Sequence, residues 1–176
     1  YEYVLKLAGH AKAKYYLFLL SVAESSFFPI PPDVMLLPMC LSKPKKAWRF
    51  ALITTVGSVL GGIIGYLIGV YAFGFIEPYL YDWGYMPAYE RAVIWFKEWG
   101  FWAVFIAGFS PIPYKVFTIA GGVLVMPLLP FILASIIGRG ARFYLVALFV
   151  IMFGKKADEL IRKHMSKLVW GLTILI

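Results

Sequence analysis

Five ionisable side chains stand inside otherwise apolar sequence: Glu24, Asp33, Lys115, Arg139 and Arg142. At the centre of a membrane helix each costs about 2.5 to 3.5 kcal/mol on insertion scales, so they are expected to turn inward and converge. Arg139 and Arg142 lie three residues apart and share a helix face. A guanidinium donates two parallel hydrogen bonds from a planar fork that matches phosphate oxygens. Arg139 and Arg142, with Lys115, are therefore candidates to bind the phosphate of a lipid headgroup. Glu24 and Asp33 are candidates for proton coupling, since a carboxyl withdrawn from water can take up and release a proton in a transport cycle. The bases exceed the acids by one, which leaves room for an anion. The competing account is that these groups form buried ion pairs that only tie the chain together.

The elements that must position them carry a repeated break. Pro29-Ile30-Pro31-Pro32-Asp33-Val34 returns 82 residues later as Pro111-Ile112-Pro113-Tyr114-Lys115-Val116. Pro29, Pro31, Pro32, Pro111 and Pro113 remove backbone donors and interrupt helices, and the freed polar groups must then be buried in protein or face water. Paired interruptions at corresponding places in two halves predict an inverted repeat with a site between the breaks.

Composition fixes the solvent. With 62% hydrophobic residues, 15% charged and a mean hydropathy of +0.81, the chain is far from the roughly 25% charged average of soluble domains. A polytopic all-α membrane protein follows, with about five or six inserted segments of ~20 residues in one membrane domain. The net charge of +8 forms no basic stripe on a soluble module, so nucleic acid is not an expected partner. Cys40 is the single cysteine and His10 and His164 are isolated, so no metal site and no cofactor are expected. Without a Met or a signal pattern at Tyr1, the chain reads as a portion of a longer one.

Repeat one is placed at about 12–73: a re-entrant hairpin broken near Pro29, then a spanning helix from Ala47 to Phe73. Its Gly57, Gly61, Gly65 and Gly69 make a smooth strip for close helix approach. An interfacial loop at 77–99 follows, with Pro78, Asp82, Gly84 and Pro87 as turn signals and an amphipathic connecting helix over 88–99. Trp83, Trp95, Trp99 and Trp102 suit an aromatic belt. Repeat two, about 101–153, has its own hairpin broken at Pro111 and a spanning helix from Phe131 to Phe153. The last part, 155–176, is an amphipathic helix whose apolar end, 168–176, reads as the start of a truncated span.

Charge topology favours hairpins that return to their own side. Lys6, Lys12, Lys14, Lys43, Lys45, Lys46, Arg49, Lys155, Lys156, Arg162, Lys163 and Lys167 are twelve of the seventeen bases, against Arg91 and Lys97 in the loop. With two crossing helices and two re-entrant hairpins all twelve fall on one face, which the positive-inside rule makes cytoplasmic. Ser25, Ser26 and Ser110 read as caps of exposed backbone, because no histidine lies near to activate them. Gly121-Gly122 is a weak phosphate-loop signal, and Tyr114 and Thr118 are candidate cavity residues.

Glu24 followed by Phe28-Pro29-Ile30-Pro31-Pro32-Asp33, together with Phe109-Ser110-Pro111-Ile112-Pro113-Tyr114-Lys115 running into Ala120-Gly121-Gly122, resembles the DedA family. That family is also called the VTT or SNARE-associated domain superfamily, and the chain looks most like its short YqaA-type branch. The resemblance covers roughly 13–153. It implies opposed re-entrant hairpins, a bacterial inner-membrane location, and transport or scrambling of lipids such as undecaprenyl phosphate or phosphatidylethanolamine, dependent on proton-motive force in several members. The family's hairpin acids map onto Glu24 and Asp33. Many members carry arginines on both sides of the second break, where this chain has only Lys115. The expected function is thus a proton-coupled flippase of a phosphate-bearing lipid, alone or as a homo-oligomer. The alternatives are an uncoupled scramblase and a non-transporting scaffold or assembly factor. An enzyme ranks last for want of a metal cluster or a nucleophile and base pair.

Overall fold

The computed structural model describes residues 12–26, 30–82, 84–110 and 113–174, with the backbone alone at 76 and beyond 154. Pro29, Pro111 and Trp83 fall outside the described residues, as do Lys6 and His10. The described chain is helical apart from short connections, in the order α1 (Ala13–Ser26), α2 (Asp33–Ser42), a 3-10 turn (Pro44–Lys46), α3 (Ala47–Asp82), α4 (Met86–Phe109), α5 (Tyr114–Val123) and α6 (Leu128–Ile174). Gly154, at φ 40 and ψ −111, breaks α6 between its apolar part and its end. Three helical stretches are long and apolar enough to cross a bilayer: Pro44–Phe75, Met86–Phe109 and Leu128–Gly154. The chain is an integral membrane protein.

One expected boundary moves. The interfacial loop placed at 77–99 is helical nearly throughout, because α3 continues through Pro78 to Asp82 and α4 runs unbroken from Met86 to Phe109. Pro78 removes one hydrogen bond from α3, whereas a loop at an apolar surface would leave many backbone groups without partners. Pro87 lies in the first turn of α4, where a missing N–H costs nothing. The reversal is confined to the residues around Gly84, whose φ is +70. The first half of α4 is fastened to the bundle: the Tyr89 hydroxyl donates to the Val123 carbonyl at 2.8 Å, and its ring stacks on Phe73 at 4.8 Å.

The helices pack in two exchanged sets. α1 and α5 lie side by side on α3, while α4 and α2 lie on α6, so each break is followed by an arm that docks on the other half's long helix. Cross-links give the directions. Ser58 meets Arg139 and Tyr66 meets Met126, so α3 and α6 are antiparallel. Ser21 bonds Thr54 and Ser26 bonds Gly61, so α1 runs parallel to α3, and the Gly108 and Arg139 backbones adjoin as α4 runs parallel to α6. This is the topology of two inverted halves. Element boundaries repeat at an offset of 81 to 83 residues (26 to 109, 33 to 114, 42 to 123, 47 to 128).

The glycine strip of α3 makes the packing close. A methyl on Gly61 would fall onto the Val22 carbonyl, and one on Gly69 onto the Ile119 carbonyl. The first half of the strip thus takes α1 and the second takes α5. Two apolar clusters result: Leu17, Leu36, Phe50, Phe143 and Val150 at one end, and Tyr66, Val104, Tyr114 and Phe131 at the other. Gly61→Ala should lower unfolding stability by about 1 to 3 kcal/mol through overpacking. Gly74→Ala, where an added methyl meets nothing within 4 Å, should be neutral or gain up to ~1 kcal/mol from helix propensity. Thermal unfolding of the two variants in detergent checks the difference.

Candidate functional site

Between the two apolar clusters lies a polar layer in which Ser21, Ser25, Ser26, Thr54, Ser58, Thr118, Ser135 and Arg139 are all buried. The last turn of α1 brings Glu24, Ser25 and Ser26 to the middle of α3. There Ser26 donates to the Val22 carbonyl at 2.8 Å and the Gly61 carbonyl at 3.0 Å. Small hydroxyl residues suit this seam because each finds a carbonyl or a polar side chain without holding the helices apart.

Arg139 reaches into the layer from α6 and is 2% exposed. Its Nη2 donates to Glu24 Oε2 and, at 3.1 Å, to Ser25 Oγ, while Nε donates to Ser58 Oγ at 2.5 Å. The guanidinium also lies over the Tyr114 ring at 4.8 Å and the Phe143 ring at 4.9 Å. Tyr114 is held in turn by its hydroxyl, which donates to Ser135. This planar cation is paired with a carboxylate, lies over two aromatic rings, and has described acceptors for its Nε and Nη2 donors.

Arg142, one turn on, is placed differently. It is 22% exposed and Asp33 is 19% exposed. Its Nη2 donates to Asp33 Oδ2 at 2.6 Å and its Nη1 to the Ser110 carbonyl at 2.8 Å. Asp33 opens α2 just after the first break, and Ser110 closes α4 just before the second. One guanidinium therefore joins both breaks. Asp33 Oδ1 and Ser110 Oγ are buried beside it without a described hydrogen-bond partner. A charged and a polar oxygen left open next to a cation mark a place where a further polar group gains more than it loses.

Of the five charges expected to converge, the two acids and two arginines meet, in two separate pairs. Pro31 and Pro32 lead into α2, with Pro32 as its N-cap, and Pro113 precedes α5. Lys115, second in α5, is half-buried, and its side chain enters neither pair. Thr118 and Tyr114 do line the layer, on the α3 glycines at Gly62 and Gly65. Sequence reasoning misses Ser58 and Phe143. The signal for Ser58 was available in Thr54, Thr55 and Ser58, three hydroxyls within five residues on an otherwise apolar helix face. Phe143 had none, since one phenylalanine among many in α6 is not marked as an arginine's neighbour.

A sequence model of the VTT domain matches residues 19–152. An uncharacterised protein of Haemophilus influenzae is similar at 46% identity over 175 residues, 99% of this chain and 91% of that protein. One from Histophilus somni is similar at 48% identity over 175 residues, 99% of this chain and 92% of its own length. No solved structure matches.

Removing one member of the enclosed pair should leave the other charge stranded. Arg139→Leu or Glu24→Leu alone should each cost about 3 to 5 kcal/mol, and the double variant much less than their sum. A double-mutant cycle from unfolding in detergent measures the coupling.

Proposed function

For this chain, which belongs to the VTT-domain family, we propose the function of a transporter that moves a phosphate-bearing lipid across the membrane with Arg142 as the exchangeable base. The observation that carries it is the Arg142 bridge, a partly exposed guanidinium bound at once to Asp33 of one break and the Ser110 carbonyl of the other. Family membership supports a membrane lipid or transport role. The breaks meet α6 at Arg142, near the midpoint of Leu128–Gly154. If that stretch spans the bilayer, the hairpins enter halfway from opposite faces and return.

Charge balance supplies a mechanism. The Asp33 and Arg142 pair is neutral as it stands. When a lipid phosphate takes the place of Asp33 on the guanidinium fork, Asp33 is left as an uncompensated anion away from water, which costs several kcal/mol. A proton on Asp33 restores neutrality, so one monoanionic headgroup carries one proton with it. Lys115, close after the second break, is the further cation for the phosphate. A zwitterionic headgroup needs no proton, because its own ammonium can sit on Asp33. Glu24 holds Arg139 and so keeps the layer in register, with proton coupling assigned first to Asp33. The basic segments, including Lys45, Lys46 and Arg49, would face the cytoplasm of a bacterial inner membrane.

Reconstitution with labelled polyprenyl phosphate and labelled phosphatidylethanolamine, each with and without a pH gradient, tests this. Collapsing the gradient should slow the anionic lipid and leave the zwitterionic one unchanged. Arg142→Ala should slow both by about tenfold or more, the effect of losing a charge-assisted hydrogen bond of ~1.5 to 3 kcal/mol. Asp33→Asn should remove the response to pH. Movement of the anionic lipid at one rate in every condition would establish an uncoupled scramblase, and no movement of either by the intact protein would leave the scaffold account.

A further inference from the structure

Beside the ion pairs, and not part of them, an apolar groove of about 420 Å³ runs between α2 and α6, lined by Leu37, Leu145, Phe149, Met152 and Phe153 among others. Its inner end is one turn from the pair already described, since Leu37 follows Asp33 by four residues and Leu145 follows Arg142 by three. Phe149 and Phe153, with ring centroids 4.8 Å apart, form an aromatic wall toward its outer end. There α2 passes into the 3-10 turn Pro44–Lys46, which packs on both α2 and α6. Lys45 and Lys46 in that turn, and Arg49 just after it in the first turn of α3, are exposed.

Dimensions select the occupant. From Leu145 to Phe153 α6 rises ~12 Å, and from Arg142 ~16 Å, close to half of a ~30 Å hydrocarbon core. That length and the apolar lining suit a single hydrocarbon chain laid along the groove, and the bases beside its outer end favour a lipid over a helix of a second copy. A one-leaflet apolar channel with bases at its outer mouth complements an amphiphile with a negative head, because surface lysines and arginines attract anionic headgroups.

We propose that the α2–α6 groove is a docking site for an anionic glycerophospholipid of the adjacent leaflet, with one acyl chain along Leu145–Phe153 and the phosphate on Lys45, Lys46 and Arg49. Docking does not require that this lipid be carried, so the site stands or falls apart from transport.

The test is photolabelling of the intact chain in phosphatidylcholine nanodiscs doped with phosphatidylglycerol that bears a diazirine on its acyl chain, with a phosphatidylcholine probe as comparison. Label from phosphatidylglycerol should concentrate on residues 145–153 and Leu37. Leu145→Trp or Met152→Trp should lower it about tenfold, the effect of displacing roughly two methylenes. Leu52→Trp, on an exposed part of α3, should not. Lys45→Gln, Lys46→Gln and Arg49→Gln should each weaken phosphatidylglycerol labelling about fivefold and leave phosphatidylcholine labelling unchanged. Leu145 and Met152 are half or more exposed, so the tryptophan variants should keep the parent unfolding temperature. Label spread evenly over the exposed faces of α3 and α4, label indifferent to both tryptophans, or a groove cross-link between two copies would each overturn the site.

Discussion

Two ion pairs decide how this bundle is held. Each ionised group in the apolar interior must meet an opposite charge or fill its hydrogen bonds, and a misplaced one costs several kcal/mol. Glu24 is therefore bound to Arg139, and Asp33 to Arg142. Both links run from the first hairpin to the second half's long helix, so they join the halves across the middle of the molecule. The hydroxyls of Ser25 and Ser58 fill out the Arg139 coordination, and the apolar clusters on either side confine the polar layer to a thin band.

Small residues make those links reachable. Ser21, Ser25 and Ser26 on α1 meet Thr54, Ser58 and Gly61 on α3, and Gly69 and Gly122 let α5 and α3 approach backbone to backbone. Dispersion and small-residue packing, rather than exclusion of water, hold helices together inside a bilayer. Many large side chains accordingly point outward, such as Leu52, Val56, Leu60 and Ile64 on α3 and Trp95, Trp99, Trp102 and Ile106 on α4. The outer surface is apolar and the seam is small and polar, the reverse of a soluble bundle.

Much of this was legible in the residues themselves. The charges of Glu24, Asp33, Arg139 and Arg142 stand out because charge in apolar sequence is expensive, and the Gly57 to Gly69 spacing marks its own use. Proline is less reliable. Pro32 and Pro113 do flank breaks, but Pro38 and Pro78 lie within helices and Pro87 starts one. Composition around 77–99 is polar enough for a loop, yet it forms helix ends, since the polar residues lie on the exposed faces of α3 and α4 while Phe96 is buried. What no local pattern reveals is partner choice. That Arg139 is enclosed by Tyr114 and Phe143 while Arg142 stays partly open follows from a rotation along α6 that only packing sets.

The backbone is nearly two-fold, and its chemistry is not. At offsets of 81 to 83 residues the counterparts of Arg139 and Arg142 fall at small or apolar positions on α3, namely Val56, Gly57, Ser58, Val59, Leu60 and Gly61, none of them ionisable. The second hairpin therefore meets α3 through Tyr114 and Thr118 against Gly62 and Gly65, a close and uncharged contact. The first hairpin meets α6 through two ion pairs, Glu24 of α1 on Arg139 and Asp33 of α2 on Arg142. Close packing resists sliding, because any shift loses dispersion contacts over the whole seam. An ion pair can change partners only where the charge of both groups stays compensated. Of the two equivalent hairpin contacts, the first hairpin's contact with α6 thus carries the charge and the second's with α3 carries none, so the halves repeat in backbone and differ in chemistry.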